Sequence, residues 1–225
     1  MFKQKRVIIS LTVAVALFAF FVSFSKLVNR DLFPQIDFDI TVKLQDKLPH
    51  LVDFPFTILS LLGNPEPTVI FWFLMVLFFA VRRRWIVSIG LLGLFPLSLF
   101  IEIYGKTFVY HPAPPQFMYR GLFDFSLSKY YVHTEFSYPS GHVTRISFFV
   151  AFFVVYLLHT IKNPIKKVVS AGILMLFLIL MLVSRVYLAE HWTTDVIGGL
   201  LLGSSFGIVA GVPALFRNSR TEITT

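Results

Sequence analysis

The chain has 225 residues, 56% of them hydrophobic and only 14% charged, with 27 Phe and a mean hydropathy of +0.76. That balance excludes an ordinary soluble domain and makes the bilayer the reference solvent. The formal net charge is +8, and cysteine is absent, which excludes a disulfide framework, a thiolate metal site and a cysteine nucleophile.

In chain order, apolar runs suited to roughly 30 Å of hydrocarbon are predicted at about 7–25, 67–81, 85–103, 143–161, 168–183 and 196–216. The first follows Met-Phe-Lys-Gln-Lys-Arg. It is read as a retained span, because FVSFSKLVNR offers no small-x-small cleavage site. Residues 26–66 alternate charges with Leu, Val, Phe and Ile, and Pro49 and Pro55 are expected to break them into short pieces. These are read as interfacial helices in the headgroup layer, with a plain outer loop as the other reading. The second and fifth spans are short, and flanking Arg or Lys can snorkel from their ends. The third contains Pro96 and Glu102, and Glu102 is expected to partner Lys106 four residues later. The sixth carries Gly199, Gly203, Gly207 and Gly211 on one face, a pattern for close helix packing. The predicted fold is an all-α bundle of six transmembrane helices with short interfacial helices on the outer side. It is read as one integral-membrane domain over 1–225.

Charge sets the orientation. Lys3, Lys5, Arg6, Arg82, Arg83, Arg84, Lys162, Lys166, Lys167, Arg217 and Arg220 fall on one side with a single acid, Glu222. The other side has the remaining nine basic and eleven acidic residues. The positive-inside rule then places both termini in the cytoplasm of a multi-pass protein of the cell inner (plasma) membrane. Topology and anionic headgroups account for the basic balance, so no nucleic-acid partner is expected.

This layout brings three polar clusters to one outer face: GKTFVYHPAPP at 105–115, YPSGHVTR at 138–145 and SRVYLAEHWTTD at 184–195. Ionisable groups at such positions are costly in lipid and point to a site. His191 and Asp195 are four apart, so a helix starting near Trp192 lets the carboxylate hold one imidazole nitrogen and leaves the other free. A histidine nucleophile or base is prepared in this way. Ser140, Gly141 and His142 open a helix whose free N–H groups suit an anion. Arg185 adds a guanidinium fork matched to phosphate oxygens, and Lys106 adds a point charge. Together these describe a phosphate-binding cup containing two histidines.

At these residues the sequence resembles the type 2 phosphatidic acid phosphatase superfamily of integral-membrane lipid phosphatases. Its three motifs are Lys, six residues, Arg-Pro; Pro-Ser-Gly-His; and Ser-Arg, five residues, His, three residues, Asp. The second is matched by Pro139, Ser140, Gly141 and His142, and the third by Ser184, Arg185, His191 and Asp195. The first, at 106–114, keeps Lys106 and Pro114 but has Ala113 where the arginine belongs. His111, Arg120 and Arg145 are candidate replacements, and Arg145 ranks first because it lies one turn beyond His142.

The resemblance implies that His191 attacks phosphorus to give a phosphohistidine and that Asp195 orients it. His142 would protonate the leaving oxygen and later activate water. Lys106, Ser140, Gly141 and Arg185, with Arg145 in support, would hold the phosphoryl oxygens. That scheme needs no metal and no cofactor, and its partners are a phosphorylated membrane lipid and the bilayer. Undecaprenyl diphosphate is the leading substrate. Phosphatidylglycerophosphate, phosphatidate or lipid A, and phosphotransfer in place of hydrolysis, are the alternatives.

Other classes remain open from the residues alone. A metallohydrolase could use His142, Glu190, His191 and Asp195, although no helical metal motif is present. A serine hydrolase could use Ser140 or Ser184, although Pro-Ser-Gly-His is not a nucleophile elbow. A lipid-phosphate binding or transport protein could keep the cup without the chemistry. His50, His133 and His159 have no motif around them.

Overall fold

The computed structural model describes residues 2–123 and 135–216. Part of the connection between the third and fourth predicted spans, with His133, lies outside the described residues, as do Arg217, Arg220 and Glu222 of the charge pattern. Among the described residues there is no strand, and the helices are α1 (Phe2–Val28), α2 (Pro34–Lys47), α3 (Asp53–Leu61), α4 (Pro65–Val81), α5 (Trp85–Phe108), α6 (Gly141–Thr160), α7 (Pro164–Tyr187) and α8 (Thr193–Gly211).

Five of these, α1, α5, α6, α7 and α8, are each long and apolar enough to cross a membrane. The second expected span, at 67–81, is part of a broken one: α4 qualifies only together with the preceding segment His50–Leu61, which contains α3 and meets it at a 46° bend. The break follows from Asn64-Pro65-Glu66-Pro67. A proline pushes the residue before it out of helical geometry, and Asn64 has ψ 155. Pro65 then starts α4, where its missing N–H is no loss. Pro55 does not break its segment as expected. It sits in the first turn of α3, where a backbone N–H would have no helical acceptor anyway.

The bundle is organised around α6 and α8. In the most apolar stretch of each, 61% of residues are buried, against 11% in α1 and 17% in α7. The glycine stripe explains the close approach. A Cβ at Gly199, Gly203 or Gly207 would collide with the carbonyl of Ser140, Thr144 or Phe148 on α6, so the two backbones touch along the stripe. Phe79, Phe95, Phe148, Phe149 and Phe152 fill the adjoining core. Between α4 and α5, Trp72 Nε1 donates to the Leu91 carbonyl at 2.9 Å and Ser88 Oγ donates to the Val76 carbonyl at 2.9 Å. Such bonds have few water competitors in lipid.

One end of the bundle thus collects the last turn of α5, the first of α6, the last of α7 and the first of α8. All three polar clusters meet there.

Candidate active site

The third cluster is built by a sharp reversal from α7 into α8. Glu190 N–H and His191 N–H both return to the Arg185 carbonyl, at 3.1 and 3.3 Å, and Ala189 takes the left-handed φ of 52° that the reversal demands. Trp192 is the N-cap of α8, and Asp195 Oδ2 accepts its N–H at 3.0 Å. The same oxygen lies 3.2 Å from His191 Nδ1. A carboxylate only accepts, so the proton is on Nδ1 and Nε2 keeps its lone pair. Burial pushes the His191 imidazole below its ordinary pKa. Asp195 opposes that shift, and the Lys106 and Arg185 charges reinforce it. The ring is therefore neutral at pH 7.

The start of α6 faces this turn. Ser140 N–H donates to the Asp195 carbonyl at 3.0 Å, which locks the two helix starts together. Ser140 Oγ is fully buried and has no hydrogen-bond partner among the described residues. A Cβ at Gly141 would strike the Glu102 carboxylate, so a side chain there would have to displace that carboxylate from beside the start of α6. His142 Nε2 donates to Asn64 Oδ1 at 2.7 Å, and its ring centroid is 6.4 Å from that of His191.

Cations ring the two histidines. Arg185, wholly buried in the last turn of α7, donates from Nη1 to Ser60 Oγ at 2.5 Å and is ion-paired with Glu190. Lys106 Nζ is 3.5 Å from Glu102 Oε1, as its spacing predicted. The other oxygen of Glu102 is 3.5 Å from Arg145 Nη1.

The candidate replacements for the motif arginine go to three places. Arg145 donates from Nε and Nη2 to the Gly63 carbonyl, at 3.1 and 2.9 Å, so its fork clamps the α3–α4 break beside Gly141. Arg120 donates to the Gln45 carbonyl at 3.0 Å and to the Tyr187 hydroxyl at 3.2 Å, and stacks on the Tyr187 ring. His111 sits behind Asp195, 2.8 Å from Thr194 Oγ1 and 3.5 Å from Asp195 Oδ1. Ala113 itself is exposed, and the neighbouring Pro112 carbonyl accepts Trp192 Nε1 at 2.8 Å.

Four residues at the site carried no functional signal in the sequence. Ser60, Gly63, Asn64 and Asp37 hold Arg185, Arg145, His142 and Thr194 respectively. Asn64-Pro reads as a turn signal, which could have placed a break there but not its partner. Asp37 reads as one more charge on an interfacial helix. An apolar cavity of about 390 Å³ adjoins the break, lined by Leu62, Phe71, Ile146, Phe149, Leu174 and Phe177 of the α3–α4 segment, α6 and α7. Among the described residues, no group of three or more His, Cys, Asp or Glu is arranged to hold a metal ion.

A family model described as the PAP2 superfamily matches residues 85–217. Among solved structures, the chain is similar to the transmembrane PAP2-type phosphatidylglycerolphosphate phosphatase of Bacillus subtilis, with a TM-score of 0.70 and 22% identity, covering 88% of this chain and 93% of that one. At that identity the likeness is one of fold. A search of curated protein sequences returns no match.

Proposed function

The chain belongs to the PAP2 superfamily, and from that membership and the geometry of its polar end we propose that it is a membrane lipid phosphatase working through a phosphohistidine. The observation that carries this reading is a neutral His191 whose Nδ1 is held by Asp195, facing His142 inside a ring of Lys106 and Arg185. One phosphoryl group can bridge two imidazoles at that separation.

In the reaction, His191 Nε2 forms a bond to the terminal phosphorus while the bond from that phosphorus to its leaving oxygen breaks, the leaving oxygen being the lipid ester oxygen of a phosphomonoester or the bridging oxygen of a diphosphate. His142 gives that oxygen a proton. Water then attacks the phosphohistidine, His142 takes a proton from it, and the N–P bond breaks to release inorganic phosphate. Lys106, Arg185, Ser140 Oγ and the Gly141 N–H are assigned to the phosphoryl oxygens, where charge spreads in the transition state. For Arg185 and Lys106 this means exchanging Glu190 and Glu102 for phosphate. Arg145 supports the same oxygens only if its Nη1 leaves Glu102, while its other nitrogens stay on Gly63.

A lipid substrate is supported by the membrane-spanning helices and by the apolar cavity beside the α3–α4 break. Undecaprenyl diphosphate is the leading candidate, because the compact chain has no large insertion. Phosphatidylglycerophosphate is the second, favoured by the activity in the description of the similar solved structure. The site is assigned to the outer face of the inner membrane, with both termini in the cytoplasm, from the distribution of Lys and Arg.

The test is phosphate release by detergent-purified protein from undecaprenyl diphosphate, phosphatidylglycerophosphate, phosphatidate and lipid A, with chelator present and His191→Ala alongside. Turnover that survives chelator and vanishes in the variant is expected, and the best substrate identifies the lipid. A loss of turnover with chelator, or turnover that persists in His191→Ala, overturns the mechanism.

A further inference from the structure

Behind the His191–Asp195 pair lies a second histidine and a second carboxylate, His111 and Asp37, neither of them at a position the three motifs specify. Asp37 of α2 is 1% exposed and His111 is 4% exposed. Asp37 Oδ1 accepts the Thr194 N–H at 2.9 Å, and Asp37 Oδ2 accepts the Thr194 hydroxyl at 2.7 Å. The single proton of that hydroxyl is thus spent on the carboxylate, so its oxygen accepts from His111 Nε2 at 2.8 Å. His111 Nε2 therefore carries a proton. It lies 3.5 Å from Asp37 Oδ2 and 3.5 Å from Asp195 Oδ1.

We propose that His111 is a positioning residue for His191: it sits as an imidazolium between the buried carboxylates of Asp37 and Asp195 and fixes Asp195 from the side opposite His191. The order is Asp37, His111, Asp195, His191, with Thr194 clamping the first two. Two carboxylates buried this deeply need a cation between them, because an unpaired charge in a low-dielectric interior is costly. The ion-pair partners seen at these carboxylates are imidazoles: His111 for Asp37, and His111 and His191 for Asp195. Burial alone would lower the pKa of His111; the Asp37 hydrogen bond and the charges of Asp195, Asp37 and Asp31 outweigh it and hold the pKa above its ordinary value. Asp195 Oδ1 makes no hydrogen bond among the described residues; the charge of His111 3.5 Å away draws that oxygen toward it and leaves Oδ2 for His191, which sets the angle at which Nε2 is presented. The positive charge of His111 also tempers the pull of Asp195 on His191. That ring is otherwise faced by Lys106 from α5, His142 from α6 and Arg185 from α7.

The proposal rests on His191 as the attacking group, so its test reads His191 both with and without turnover. The full-length protein in detergent is treated with diethylpyrocarbonate across pH, and modification of His191 is followed by mass spectrometry in the wild type, His111→Gln and Asp37→Asn. Size-exclusion profiles establish that each is folded, and the second variant serves if the first is not. Loss of the His111 charge leaves the full pull of Asp195 on His191, so the midpoint of His191 modification is expected to move to higher pH in both variants. With the lipid phosphate that the wild type hydrolyses, kcat is expected to fall about tenfold with KM unchanged, as for removal of a group that orients a reacting ligand. An unmoved midpoint in a folded variant overturns the proposal, whatever the activity. A moved midpoint in a protein that hydrolyses no lipid supports the coupling while sinking the phosphatase reading.

Discussion

The polar end of this molecule has two walls that differ in how they are made. One, formed by the adjoining ends of α5, α6, α7 and α8, carries Lys106, His142, Arg185, His191 and Asp195. The other, formed by α2, α3 and the break before α4, carries Asp37, Ser60, Gly63 and Asn64, none of which is assigned to chemistry. Four side chains or backbone groups of the first wall are met by the second: Arg185 by Ser60, His142 by Asn64, Arg145 by Gly63 and Thr194 by Asp37. The family match covers 85–217 and so takes in the first wall and none of the second. The contrast teaches that the groups proposed to react and the groups that hold them come from different parts of the chain.

Breaking the first wall should cost most. His191→Ala is expected to lower phosphate release by at least about 10³-fold, since it removes the imidazole proposed to attack phosphorus. Arg185→Ala removes a buried guanidinium and is expected to reduce kcat/KM by about 10²-fold, some 3 kcal/mol. Side-by-side initial rates at several lipid concentrations measure both. Equal activity of either variant and wild type removes that residue from the reaction.

The seam that aligns the walls comes next. Gly203→Val drives a side chain into the Thr144 carbonyl and is expected to destabilise the α6–α8 pair by about 3 kcal/mol. A lowered unfolding temperature in detergent is the readout, and an unchanged one would mean the helices can separate without cost.

The second wall should matter less. Asn64→Ala leaves the His142 Nε2–H without its acceptor and is expected to lower kcat about tenfold. If it instead matches the loss in a His142 variant, the division between reacting and supporting residues fails.

The smallest effect is in pH. Burial holds the His191 pKa below its ordinary value, and the proposed reaction needs the unprotonated ring. Activity is therefore expected to stay level as pH falls through the ordinary histidine range and to drop only in stronger acid. Asp195 pulls the other way, so Asp195→Asn should move that acid limb to still lower pH while also lowering the rate. A limb that moves up instead would show that Asp195 does not face His191.

Some of this was legible along the chain because it depends on local periodicity. The four-residue spacing of His191 and Asp195, and of Glu102 and Lys106, yields a contact on any helix or helix start. The glycine stripe shows a face for the same reason. Pro55 was not legible in this way, because a proline in a first turn looks identical to a breaker until the helix start is known. Arg145 lies one helical turn beyond His142, and that spacing alone makes it a candidate for the arginine absent at Ala113. That spacing could not show its fork turned to Gly63, which lies 82 residues earlier.

By itself the chain determined its solvent, its helical spans and the meeting of three polar clusters at one depth, because span length and apolar content follow from the thickness and dielectric of a bilayer. It also determined the His191–Asp195 pair, through the geometry of one helix start. Only the tertiary structure decided that Ser60 meets Arg185 across 125 residues, that Asn64 meets His142 across 78, and that Asp37 meets Thr194 across 157. Such contacts depend on how closely helices pack and where a broken span bends. Here the glycine seam of α8 and the proline break before α4 set both, and neither names its distant partner.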